Sequence, residues 1–129
     1  MRGRLAGALV IALFGAVGPA AAGQGQLPDS GVRGVVLDTT CYGPCQVDQQ
    51  PEPYKGSGLT VVVRRISTGE VIRTLTPRSG RFSNRLRPGA YRVIARVADD
   101  CWEGEAKRVG VKAHEFTPVK LHVGNRCIV

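Results

Sequence analysis

Residues 80–97 read GRFSNRLRPGAYRVIARV. Tyr91, Val93, Ala95 and Val97 alternate with Arg92, Ile94 and Arg96. That period of two predicts a strand with one buried and one solvated face. Ahead of it, Phe82 and Leu86 point one way and Arg81, Ser83, Arg85 and Arg87 the other. Between the two lies Arg87-Pro88-Gly89, where proline presets φ and glycine tolerates the positive φ that follows. The expectation is an antiparallel hairpin with Arg81, Arg85, Arg92 and Arg96 on one outer face.

The rest of the chain reads as strands added around this pair. Residues 31–37 (GVRGVVL) form a strand that offers Val32, Val35 and Leu37 for burial. Residues 58–66 hold Val61, Val62 and Val63 in a row, the mark of a central strand covered on both faces. Ser67-Thr68-Gly69 turns the chain into a strand over 70–76. Residues 105–113 bury Val109 and Val111, His114-Glu115 turns, and residues 116–123 bury Val119, Leu121 and Val123. Pro118 inside that last strand predicts an edge position, because proline donates nothing to a ladder. The fold class is therefore all-β, an antiparallel β-sandwich of about seven strands. If the direction reverses at every connection, the long polar loop 38–57, the turn 77–79, the acidic loop 98–104 and the C-terminus share one end. Cys41, Cys45, Cys101 and Cys127 then meet there.

Four cysteines in a small chain imply two disulfides. Their pairing stays open among three connectivities, with two long bridges from Cys41 and Cys45 set ahead of a local Cys41–Cys45 bridge. An export signal agrees with oxidation. Met1-Arg2-Gly3-Arg4 is a basic start, residues 5–17 are apolar but short for a membrane span, and Ala20-Ala21-Ala22 offers small residues for cleavage. The division is a signal peptide over 1–22, a disordered Gly/Gln/Pro-rich lead-in over 23–30, and one domain over 31–129. Losing Arg2 and Arg4 leaves +6 of the formal net charge of +8. An exported basic domain is suited to acidic polysaccharide or anionic lipid more than to nucleic acid.

Few residues carry chemistry. His114 and His122 are the only histidines, and neither has an evident Ser, Cys or Asp partner in the pattern. The four cysteines lack the paired short spacings of structural zinc. Asp99, Asp100, Glu103 and Glu105 flank Cys101-Trp102 without matching a calcium-loop spacing. Trp102, the single tryptophan, either packs on a disulfide or stands out as a platform for a sugar ring or a protein partner. Arg81, Arg85, Arg92 and Arg96 form either a solvated sheet face or a docking face for an anionic polymer. Arg64, Arg108 and Lys112 would extend that face if their strands are neighbours.

Several segments together are similar to one family. The entry over 31–36, Tyr54-Lys55-Gly56-Ser57-Gly58-Leu59-Thr60-Val61, Ser79-Gly80-Arg81-Phe82, and Leu86-Arg87-Pro88-Gly89-Ala90-Tyr91 resemble the carboxypeptidase regulatory-like domain of the transthyretin-like (prealbumin-like) sandwiches. The likeness spans residues 31–123 and implies the fold far more than any activity. The chain departs from the pattern in its cysteine-bearing loop and in Ser79, where an aspartate is common. The end Asn125-Arg126-Cys127-Ile128-Val129 lacks the Tyr-Arg-Gly-Ser signature of the related hydroxyisourate hydrolases. Arg33 stands where the isopeptide-forming relatives carry a lysine.

The expected protein is a monomeric binding or structural module, secreted or periplasmic, with no catalytic residues, no cofactor and no metal. The expected partner is an anionic envelope polymer or another protein, with no nucleic acid and no stable membrane insertion after signal cleavage. The competing readings are an accessory or inhibitor-like protein acting through the loop 38–57, and a small hydrolase.

Overall fold

The computed structural model describes residues 27–45 and 48–127, so the signal segment over 1–22 lies outside the described residues. Nine strands follow: β1 (Gly31–Asp38), β2 (Glu52–Pro53), β3 (Leu59–Arg65), β4 (Val71–Leu75), β5 (Arg81–Arg85), β6 (Gly89–Val97), β7 (Trp102–Glu103), β8 (Ala106–Val111) and β9 (Phe116–Asn125). One sheet is centred on β1. Its one side pairs with β9, and its other side pairs with β5 along the first half and β2 at the end. The two residues of β7 pair with the far side of β9. The second sheet has the order β4-β3-β6-β8 and is antiparallel throughout.

The two sheets make the expected sandwich. The alternating residues named above do turn inward: Val61, Val63, Tyr91, Val93, Leu121 and Val123 are all buried. Each such side chain contributes about 1.5–3 kcal/mol relative to exposure. The strand over 59–65 is central, as its valine run indicates, but only one face is fully covered and Val62 is half-buried. Pro118 lies where β9 has a partner on one side only, the edge position its chemistry demands.

Three expectations are corrected. First, not every pair is antiparallel: β1 and β9 pair in parallel over eight registered positions, from Phe116 with Gly31 to Val123 with Asp38. The seven longer strands do alternate in direction, so the first and last point the same way, and as neighbours they pair in parallel. Second, β5 and β6 are not a hairpin. β5 pairs with β1 and β6 with β3, so Arg87-Pro88-Gly89 crosses from one sheet to the other. The crossing is tied down by the Tyr91 hydroxyl, which donates to the Arg87 carbonyl at 2.6 Å, and by Ser30 Oγ, which donates to the Leu86 carbonyl at 2.7 Å. Third, β1 buries Val32 and Val36, whereas Val35 and Leu37 lie half-exposed on the outer face. Gly34 shares the inner face, and a Cβ there would stand 2.5 Å from the Phe82 ring, so glycine makes room for the aromatic.

The lead-in also differs where it is described. Ser30 is buried, Pro28 accepts a hydrogen bond from Arg85 at 2.9 Å, and Asp29 meets His114. Residues 28–30 are therefore tied to the folded unit. Asn84 is the one inward polar side chain of β5, and its Nδ2 is buried without a partner.

The disulfides are Cys41–Cys45 and Cys101–Cys127, with Cα atoms 5.5 and 5.3 Å apart and no free cysteine. This is the local pairing, not the two long bridges set ahead of it. All four cysteines do gather at one end, because β1 and β9 both finish there. Two disulfides fit an oxidising compartment. Opening the bridge of sequence separation 26 by Cys101→Ser with Cys127→Ser is expected to cost about 3.5 kcal/mol. Opening the bridge of separation 4 by Cys41→Ser with Cys45→Ser should cost about 2 kcal/mol. Urea unfolding of the two double variants checks that order.

Candidate functional site

The crossing at Arg87-Pro88-Gly89 decides where the arginines lie. Strands on either side of such a crossing turn their inner faces toward each other, so their outer residues point in opposite directions. Arg81 and Arg85 therefore sit on the outer face of the five-stranded sheet, and Arg92 and Arg96 on that of the four-stranded sheet. The single face expected for Arg81, Arg85, Arg92 and Arg96 does not exist.

The extension of that face does exist, on the four-stranded sheet alone. Arg92 is registered with Arg64 on β3 and with Arg108 on β8, so three arginines form one row across three adjacent strands. Arg96 lies on the same face two registers along, opposite Thr60. The intervening row is Thr74, Val62, Ile94 and Ala106, an uncharged floor over which the arginine stems can lie. Lys112 falls beyond the end of β8, outside the row. Arg64 donates to the Gly69 carbonyl at 2.8 Å, which holds it near the β3–β4 turn. Among the described residues none of these four arginines forms an ion pair. On the opposite sheet the cations are spaced by smaller residues. Arg81 and Lys120 stand on either side of Val35, and Arg33 lies over the Phe116 ring, 5.0 Å from its centroid.

The carboxylates collect elsewhere. Asp38, Asp48, Glu52, Asp99, Asp100, Glu103 and Glu105 belong to the disulfide end, and only Asp29, Glu70 and Glu115 to the other. Three carboxylates of the acidic loop have partners: Asp99 accepts from Cys101 N at 2.9 Å, Glu103 pairs with Arg126 at 3.0 Å and Glu105 with His122 at 3.0 Å. No group of three or more metal-ligating side chains converges among the described residues. Both histidines gain a carboxylate that the sequence pattern did not reveal, His114 through Asp29 and His122 through Glu105. No Ser, Thr or Cys side chain bonds to either imidazole among the described residues.

The disulfide end also holds a cleft of about 340 Å³. Trp102, half-buried, meets Tyr54 edge-on, with ring centroids 5.1 Å apart and planes at 88°. Tyr54 is buried and donates through its hydroxyl to the Ser57 carbonyl at 2.8 Å. Gly56 lets that ring pass, since a Cβ there would lie 2.5 Å from the Tyr54 oxygen. Tyr42, 56% exposed, donates to Asp38 Oδ2 at 2.8 Å, and the Thr40 N–H donates to Asp38 Oδ1 at 2.8 Å. The Tyr42 phenol is pushed up from its usual value, first by the Asp38 hydrogen bond and then by desolvation. That of Tyr54 is pushed up by burial first, with the Asp38 and Asp99 charges adding to it. The sequence marks Trp102 as a binding candidate by itself, and Tyr42, Asp38 and Glu52 only as members of the loop 38–57; loop geometry brings them to one cleft.

No family model matches the chain, and a search of curated proteins finds no match.

Burial acts to raise the Glu105 carboxyl, but hydrogen bonds from the His122 ring and the His122 N–H outweigh it and hold the group below the usual carboxylate range. A depressed carboxyl stabilises above its unfolded value, and that contribution fades as pH falls through the folded one. Glu105→Gln should therefore lower the thermal midpoint near neutral pH and converge with the parent on acidification to about pH 3. Melting curves across that range test it.

Proposed function

We propose that the chain is an exported, non-catalytic binding module whose four-stranded sheet holds an anionic polymer on its outer face. The observation that carries this reading is the registered row Arg64–Arg92–Arg108. Like charges directly opposite each other on neighbouring strands destabilise a sheet. Three in one row, with no ion pair to any of them among the described residues, make a surface that gains from a polyanion. Guanidinium forks match carboxylate, sulfate and phosphate oxygens. The face carries no aromatic side chain between its arginines, which argues against base stacking and nucleic acid. The basic, apolar and small-residue order of residues 1–22 supports secretion or periplasmic export, and the disulfides agree with it. The carboxypeptidase regulatory-like assignment belongs to the same proposal and rests on the motif likeness.

A second reading, action on a protein through the loop 38–57, is favoured by the cleft that the loop builds with Trp102. It would make replacements at Tyr42 disabling and leave replacements on the arginine row silent.

The test is retention of residues 23–129 on immobilised dextran sulfate over a salt gradient. Arg92→Glu with Arg108→Glu should weaken binding roughly tenfold, about 1.4 kcal/mol. Arg81→Glu with Arg85→Glu changes the net charge equally but lies on the other sheet, and should leave most of the retention. Equal losses from the two pairs would mean that net charge alone is read, and would overturn the assignment of the face.

A further inference from the structure

The cleft at the disulfide end has the opposite electrostatic character from the arginine face. Asp38 and Glu52 are directly registered partners on β1 and β2, a pair of like charges side by side. Neither forms an ion pair among the described residues, and Lys55, on the rim, is exposed and bridges to neither. Two ring planes at right angles, those of Trp102 and Tyr54, form the inner wall, and the largely exposed Tyr42 ring stands at the mouth with its hydroxyl on Asp38. Aromatic faces attract a desolvated cation through their quadrupole, and quaternary ammonium groups are the best-matched case. The volume of about 340 Å³ is at the small end of ligand sites, enough for one compact group and not for a folded partner. The wall is fixed in advance: Tyr54 N donates to the Val36 carbonyl at 2.9 Å, and Cys41–Cys45 closes the loop that carries Tyr42.

We infer that this cleft is a second binding site, separate from the arginine face, that takes an alkylammonium group between Trp102, Tyr54 and Tyr42 with its charge against Asp38 and Glu52. The Tyr42 phenol is raised first by its hydrogen bond to Asp38, and that of Tyr54 first by burial, with the Asp38 charge adding to both. A choline-type headgroup, an amino sugar and a lysine side chain all present this chemistry.

Trp102 is the only tryptophan, so intrinsic fluorescence reads the cleft directly. The oxidised protein is titrated at constant ionic strength with choline and, separately, with 3,3-dimethyl-1-butanol, its uncharged isostere. Choline should give a saturable change and the alcohol none over the same range. Tyr42→Ala and Asp38→Asn should each weaken the choline response at least tenfold; Tyr42→Ala alters an exposed ring and should keep the parent's circular dichroism. Glucosamine and lysine amide, titrated in the same way, identify which source of the ammonium group fits best. No saturable change with any of the three cations overturns the inference. So does an equal response to choline and the alcohol, which would make the cleft merely apolar. Neither result bears on retention by dextran sulfate, so the two sites stand or fall separately.

Discussion

The parallel pairing of β1 with β9 is the constraint on which the rest of the structure depends. It joins the first strand of the domain to the last over eight registered positions. β5 fills the open side of β1, and the segments on either side of it cross to the other sheet. The same pairing makes β1 and β9 finish side by side, which sets Cys41–Cys45 and Cys101–Cys127 at one end. The cleft follows from that, since both ends of the 38–57 loop line it together with Trp102 of β7, which itself is paired to the end of β9.

Strands were legible in the sequence because their signal is local. The inward alternation of Tyr91, Val93 and Ala95 is set by a two-residue period, and it survives whichever sheet receives the strand. Partner choice is not local. Leu86-Arg87-Pro88-Gly89-Ala90-Tyr91 would serve a hairpin turn or a crossing equally well, and the difference appears only when Ser30 bonds to Leu86 and the Tyr91 hydroxyl folds back on Arg87. A hairpin would have put Arg81, Arg85, Arg92 and Arg96 on one face; the crossing divides them. The same limit explains β1, where the valines at 35 and 36 are alike in hydrophobicity and Gly34, by admitting the Phe82 ring, fixes which of them is buried. The cysteine pairing depended on how tightly residues 41–45 turn, which no hydrophobic pattern records.

Charge is distributed by sheet geometry in a way that composition conceals. A formal net charge of +8 suggests a uniformly basic molecule. The fold instead sets cations on the two outer sheet faces and seven of the ten carboxylates at the disulfide end. Fields of opposite sign on different surfaces suit two ligand chemistries rather than one, each steered to its own place and each weakened by salt. The arginine row and the aromatic cleft are also built differently. The row is a flat array on regular strands, whereas the cleft is a loop pocket walled by the buried Tyr54 and the half-buried Trp102.

The most direct test of the account is a map of backbone amide shifts on adding a sulfated oligosaccharide to the oxidised protein, followed by NMR. The account predicts that the largest changes follow β3, β6 and β8 around Arg64, Arg92, Arg96 and Arg108, with β5 and the disulfide-end cleft little moved. Changes centred on Arg81 and Arg85, or spread evenly over both sheets, would contradict it.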